Sequence, residues 1–285
     1  MKYEKYKDLY TQFLISEKNL SKNSLNNYLV DLDQFFFDQD SNPSNINIKI
    51  KTYIAQLRKR NLKTSSVNRK ISTLKNYLKF LHTEKIIDQI DFQEFESLSS
   101  VKKIPKAISK SQMEQIFEDL KKSKQTNAGL YILILKLIYL SGLRISEALN
   151  LKWSDINHQD NSIYVYGKGS KERKVFIIND YLVQLKNLEK NNQYIFTINK
   201  KKISTRSVNK FLQNCYDNSL IKNKLSSHIF RHSFATTMLE NNADIRHIQK
   251  LLGHSSISTT EIYTKVAKSM KKRVLDSYHP LKNKL

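Results

Sequence analysis

Residues 226–264 read SSHIFRHSFATTMLENNADIRHIQKLLGHSSISTTEIYT. His228 and Arg231 stand three apart, the spacing of neighbours on one helix face, so both are expected to point at the same object. A Gly-His pair follows at 253–254, and Tyr263 comes nine residues after His254. The apolar spacing predicts helices over about 227–241, 244–252, 259–264 and 266–278, which puts an imidazole, a guanidinium and a phenol on helical supports. That set suits a phosphate diester. Arginine clamps two phosphate oxygens with parallel N–H bonds, histidine donates to another oxygen, and a tyrosine oxygen can attack phosphorus.

Upstream, helical spacing covers about 204–217 and 180–190. Between Leu151 and Ile178 the period changes to two. Ile163–Tyr166 and Lys174–Ile178 are read as antiparallel strands, with Gly167-Lys168-Gly169-Ser170 as their turn. Arg144–Leu151 is read as a helix, and Ser141-Gly142 ends the very apolar helix Ala128–Leu140 before it. Ser109-x-x-Gln112 is a capping box that opens this part of the chain. Only five glycines occur, and Gly142, Gly167, Gly169 and Gly253 all flank the chemistry-bearing residues. In a chain so poor in glycine, that clustering marks tight turns that aim side chains.

Read together, these segments resemble the tyrosine recombinases of the lambda-integrase family, and most closely the Xer group. The motifs that carry the resemblance are His228-x-x-Arg-His-Ser-Phe-Ala-Thr, Leu252-Gly-His-Ser-Ser-Ile-Ser-Thr-Thr, Tyr263-Thr, Ser141-Gly-Leu-Arg-Ile-Ser-Glu147 and the Gly-Lys-Gly turn. The resemblance implies Tyr263 as nucleophile and Arg144 and Arg231 as the phosphate clamp, with His228 and His254 either on the non-bridging oxygens or assisting proton movement at the tyrosine. It implies Lys168 as the acid that protonates the leaving 5′ oxygen, with Lys171 a competitor. Glu147, three residues after Arg144, is expected to hold that arginine by a same-face ion pair. No cofactor and no metal are expected, since the cationic side chains supply the positive charge. His228 and His232 have zinc spacing, but the residues between them are Ile-Phe-Arg, and a cation between ligands opposes a metal.

The fold class expected is mainly α: a four-helix, SAM-like N-terminal core-binding domain and a mainly helical catalytic domain with a small antiparallel sheet. Four amphipathic helices fit residues 1–88, the last starting near Thr64 with the stripe Val67, Ile71, Leu74, Leu78 and Leu81. Residues 89–107 read as a linker and 108–285 as the catalytic domain with a C-terminal tail helix. The charge agrees with a DNA partner. The chain of 285 residues carries +23, and residues 51–83 hold nine Lys/Arg and no acid. Arg69, Lys75 and Lys79 fall off the apolar stripe and are expected to face DNA.

No apolar run is long enough to span a bilayer, so no membrane insertion is expected. The first twenty residues lack a signal-like apolar core, and the lone Cys215 fits a reducing cytoplasm and a place in the core. The resemblance implies double-stranded DNA with inverted-repeat half-sites, bound by a homo- or hetero-tetramer joined through the C-terminal helix. It implies strand exchange through a 3′-phosphotyrosine and a Holliday junction, in the manner of Xer resolution of chromosome or plasmid dimers. The same residues also suit a phage or mobile-element integrase, a monomeric type IB topoisomerase, or a DNA-binding protein that keeps the fold without the activity.

Overall fold

The computed structural model describes residues 3–18, 20, 22–37, 46–60, 62–87, 95, 108–166, 172–188, 190 and 192–253. The chain divides into two compact units, 1–103 and 104–285. The linker expected at 89–107 apart from Phe95, residues 167–171 with the expected turn, and everything after Gly253 lie outside the described residues.

The first unit contains α1 (Tyr3–Ser16), α2 (Lys22–Phe37), α3 (Ile46–Lys59) and α4 (Thr64–Thr83). The stripe Val67, Ile71, Leu74, Leu78 and Leu81 is buried to the last residue, against Tyr10, Leu32, Phe35, Tyr53 and Leu57. One carboxylate sits at the edge of this core. Asp31 on α2 is buried and accepts from Lys70 at 3.0 Å, from Thr73 at 3.3 Å and from Arg69, all on α4. Three donors from one helix onto a buried acceptor on another fix how α2 lies along α4. Arg69 is therefore exposed yet ion-paired, Lys75 is half-buried, and Lys79 is exposed.

The second unit runs α5 (Lys110–Lys121), α6 (Ala128–Ser141), α7 (Ile145–Asn150), β1 (Ile156–Asn157), β2 (Ser162–Tyr166), β3 (Glu172–Phe176), α8 (Asn179–Lys186), β4 (Thr197–Ile198), β5 (Lys201–Lys202), α9 (Thr205–Asp217), α10 (Ser227–Glu240) and α11 (Ile245–Leu252). Ser109 and Gln112 form the reciprocal cap that starts α5. Helix α6 is apolar on almost every side and packs against α5, α7, α9 and α10. A helix hydrophobic all round belongs at the centre, and α6 is there. Cys215 is fully buried on α9.

Gly142 ends α6 with φ +65°. A Cβ there would stand 2.6 Å from the Phe234 ring and 2.8 Å from Leu252, so glycine alone fits both the backbone and the space. That stop brings α10 and α11 up against the start of α7.

Strands β1, β2 and β3 form one antiparallel sheet, with Ile163 opposite Val175, Val165 opposite Arg173 and Tyr166 opposite Glu172. Ile163, Val165 and Val175 are buried, while Tyr164, Tyr166 and Phe176 are exposed. The second strand was expected at Lys174–Ile178, and it lies two residues earlier. Pairing begins at Tyr166–Glu172, which draws Glu172 and Arg173 into the ladder. An alternation of apolar residues does not reveal this, because Arg173 occupies an inward register position and finds a carboxylate there. Helix α8 likewise stops at Lys186, short of the expected 190.

Candidate active site

The site is assembled at the junction of α7, β3, α10 and the last turn of α11. Arg144 is the residue before α7, in extended conformation at φ −69° and ψ 148°, and not within the helix as expected. Its own backbone N–H donates to Glu147 Oε2 at 2.7 Å, and its Nη1 donates to Glu147 Oε1 at 2.8 Å. Glu147 thus holds Arg144 twice. It caps the helix start through the backbone, and it aims the side chain. A carboxylate in the first turn is also favoured by the helix dipole.

Glu147 holds more than Arg144. Arg173 forks onto both of its oxygens, Nη1 to Oε1 at 3.1 Å and Nη2 to Oε2 at 2.7 Å. Arg231 Nη1 lies 3.7 Å from Oε2. Burial pushes the Glu147 carboxyl up. The hydrogen bonds from Arg173, from the Arg144 backbone and from the Arg144 guanidinium outweigh it and hold the group below the ordinary glutamate range. The carboxylate is ionised, and three guanidiniums share it.

Each guanidinium also reaches a backbone carbonyl. Arg231, buried on α10, donates to Gly142 O at 2.6 Å and to Leu252 O at 2.7 Å. Arg144 Nη2 reaches Gly253 O at 3.0 Å, and Arg173 Nε reaches Leu251 O at 2.9 Å. Three successive carbonyls at the C-terminus of α11 are therefore each capped by a different arginine. A helix C-terminus carries partial negative charge and unpaired carbonyls, so this is a favourable seat for cations.

The structure thus brings together Arg144, Glu147 and Arg231. His228, on the first turn of α10, is exposed. Lys168, His254 and Tyr263 lie outside the described residues, as do Lys171 and the tail helix. His254 directly follows Gly253, whose carbonyl Arg144 holds. Arg173 was not singled out from the sequence. The sequence carried no clear signal for it, because its inward position follows only from its pairing opposite Val165.

Residues 106–270 match the model of the phage integrase family, and residues 8–85 match that of the phage integrase N-terminal SAM-like domain. The chain belongs to the phage integrase family of tyrosine recombinases. It is an enzyme that cuts and rejoins DNA. A tyrosine recombinase XerC of Pediococcus pentosaceus is 31% identical over 95% of this chain and 97% of its own. A tyrosine recombinase XerC of Halalkalibacterium halodurans is 33% identical over 94% and 95%. A tyrosine recombinase of Agathobacter rectalis is 34% identical over 96% of each chain.

Solved structures agree on the fold of this recombinase. A lambda integrase dimer bound to a core site superposes with TM-score 0.75 at 18% identity, over 92% of this chain and 95% of that one. The XerH recombinase bound to its difH substrate before cleavage gives 0.69 at 20% identity, over 92% and 81%. Among the described residues no helix is long and apolar enough to cross a membrane.

Proposed function

We propose that this recombinase works site-specifically through a 3′-phosphotyrosine at Tyr263, exchanging strands between two DNA sites by way of a Holliday junction. One observation supports the reading above others. Arg144 and Arg231, far apart in sequence, converge with Glu147 on the last carbonyls of α11, immediately before His254 and shortly before Tyr263.

In the proposed reaction the Tyr263 oxygen attacks the scissile phosphorus and gives up its phenol proton to solvent by way of His228 or His254, and the bond from phosphorus to the 5′ oxygen breaks. Lys168 gives that oxygen its proton, which leaves a free 5′-hydroxyl. Arg144 and Arg231 bind the non-bridging oxygens, where negative charge accumulates in the pentacoordinate transition state. Donors already aimed there need no reorganisation during the reaction. His228 and His254 complete the donor set. The phosphotyrosine conserves the energy of the broken bond, so a 5′-hydroxyl from the partner duplex reseals it without a nucleotide.

In this reading residues 1–88 clamp the duplex, 89–107 link, and 108–285 carry the chemistry. Arg69, Lys75 and Lys79 face DNA. Arg69 does so while shared with Asp31, which lowers the positive charge it offers. Two dimers, of this chain alone or with a second recombinase, assemble on inverted half-sites through the tail helix. The relatives named XerC favour resolution of chromosome or plasmid dimers in the cytoplasm as the task.

The test begins with binding sites recovered from random duplexes by the Tyr263→Phe protein. A bound site nicked beside the expected cleavage position should trap the parent protein covalently, and Tyr263→Phe should bind it and form no adduct. An adduct that persists in Tyr263→Phe would reassign the nucleophile. Sites matching the ends of a mobile element would replace dimer resolution with integration as the task. Relaxation of supercoils by a monomer, with no recombinant product, would move the enzyme to the topoisomerase class.

A further inference from the structure

Arg173 lies outside the six side chains assigned above, yet it ties together the segments that lead to them. It sits on β3, at an inward register position opposite Val165. Its two terminal nitrogens grip both oxygens of Glu147, and its Nε grips Leu251 O. Its side chain is 13% exposed. The guanidinium also lies under Gly253, where a Cβ would come within 3.2 Å of Nη1 and 3.6 Å of Cδ. Gly253 has φ +62°, so glycine there serves both the left-handed turn and close passage over Arg173.

A single rigid plane thereby fixes three segments: β3, which lies four residues after Lys168 in the chain; the first turn of α7, beside Arg144; and the last turn of α11, after which His254 follows in the chain. We infer that Arg173 is a positioning residue for strand transfer, which keeps these three segments in register. The inference rests on the roles proposed above for Lys168, Arg144 and His254.

Stability alone does not account for an arginine at this position. Its inward neighbours Ile163, Val165 and Val175 are apolar and buried. Replacing a buried ion pair by well-packed apolar groups is often neutral or stabilising, so the charge is costly to keep here. What arginine supplies is geometry. Its five donors lie in one plane, two of them match a carboxylate, and the third nitrogen points sideways to a carbonyl. Lysine can satisfy only part of this set.

The test uses the full chain with Arg173→Met and Arg173→Lys, on the nicked substrate described above. Single-turnover cleavage is measured at a temperature where near-ultraviolet circular dichroism shows every variant folded. Affinity for the intact duplex is measured in parallel. Arg173→Met should bind within about threefold of the parent and cleave on the order of 10²-fold more slowly, the scale expected for ångström-sized misplacement. Arg173→Lys should fall between, since one ammonium recovers one of the bonds. In a Glu147→Gln background, Arg173→Met should cost only about a few-fold more, because the two residues act through the same contact.

Cleavage by Arg173→Met at the parent rate would overturn the inference. So would an equal loss in both backgrounds, which makes the residue an independent stabiliser. A parent protein that binds the nicked duplex and forms no adduct would instead remove the Tyr263 reading, and this inference with it.

Discussion

Glu147→Gln is the substitution that most directly probes how the site is held. The carboxylate is 8% exposed and accepts four hydrogen bonds, two on each oxygen. Glutamine keeps the shape and one acceptor oxygen. Whichever way its amide turns, two donors then face an NH₂ group that cannot accept. Each lost bond to a charged group is worth about 1.5–3 kcal/mol. Arg144 is 37% exposed and regains water, so its share is discounted. A net loss of about 3 kcal/mol is expected, within the range for breaking a buried ion pair. For a unit of this size that corresponds to a fall of roughly 6–12 °C in melting temperature.

The effect on function has a different sign for binding and for chemistry. Removing a negative charge from the proposed phosphate clamp leaves it more positive, so duplex affinity should hold or rise. The orientation of Arg144 and Arg173 is lost, so cleavage should fall on the order of 10²-fold. The assays are thermal unfolding without DNA, duplex binding, and single-turnover cleavage below the variant's transition. A melting temperature within about 2 °C of the parent, together with cleavage within about threefold, would refute Glu147 as the residue that organises the clamp.

Three further outcomes are expected. The Glu147 carboxyl is held below its ordinary value in the folded protein, so its stabilising contribution is full above that ordinary value and is lost as pH falls through the folded value; acid titration of thermal stability should show this loss in the parent and a flatter acid limb in Glu147→Gln. Gly142→Ala must adopt φ +65° and place a methyl 2.6 Å from Phe234, and should destabilise by about 2–5 kcal/mol, whereas Gly129→Ala in the same helix meets nothing within 4 Å and should stabilise by up to about 1 kcal/mol, both read by denaturant unfolding. Asp31→Ala removes the carboxylate shared by Lys70, Arg69 and Thr73 and should cost about 2–4 kcal/mol, while Arg69→Ala, with its side chain 43% exposed, should cost about 1 kcal/mol or less.

The sequence made the helices legible because their apolar faces repeat at the helical period. The α4 stripe is the plainest case, and all five of its residues are buried. Glycine was equally legible: Gly142 stops α6 in the left-handed region. What could not be read was anything that depends on two segments meeting. Glu147 was expected to pair with Arg144 along a helix face. That side-chain pair is present, but Glu147 also caps Arg144's own backbone and accepts from an arginine on a strand. Arg173 was not singled out, standing among Lys171, Glu172 and Lys174 in the sequence. Only the pairing of Val165 with Arg173 shows that it faces inward, and register between strands is a tertiary property. The same holds for Arg69, whose spacing off the stripe suggested a DNA-facing cation and which also pairs with a carboxylate from another helix.

The way these arginines are held bears on what they can still do. An arginine fixed by its own carboxylate is well aimed, but its charge is cancelled. Here three guanidiniums share one carboxylate, and most of their other bonds go to the carbonyls of Gly142, Leu251, Leu252 and Gly253. A carbonyl dipole orients a cation without neutralising it. Glu147 offsets one unit of charge and leaves the equivalent of two, in a setting where Arg231 is almost withdrawn from water. A charge in that setting acts through a lower dielectric than bulk water and attracts an anion more strongly. In the proposed reaction Arg144, the most exposed of the three, is where an incoming phosphate would meet this field first.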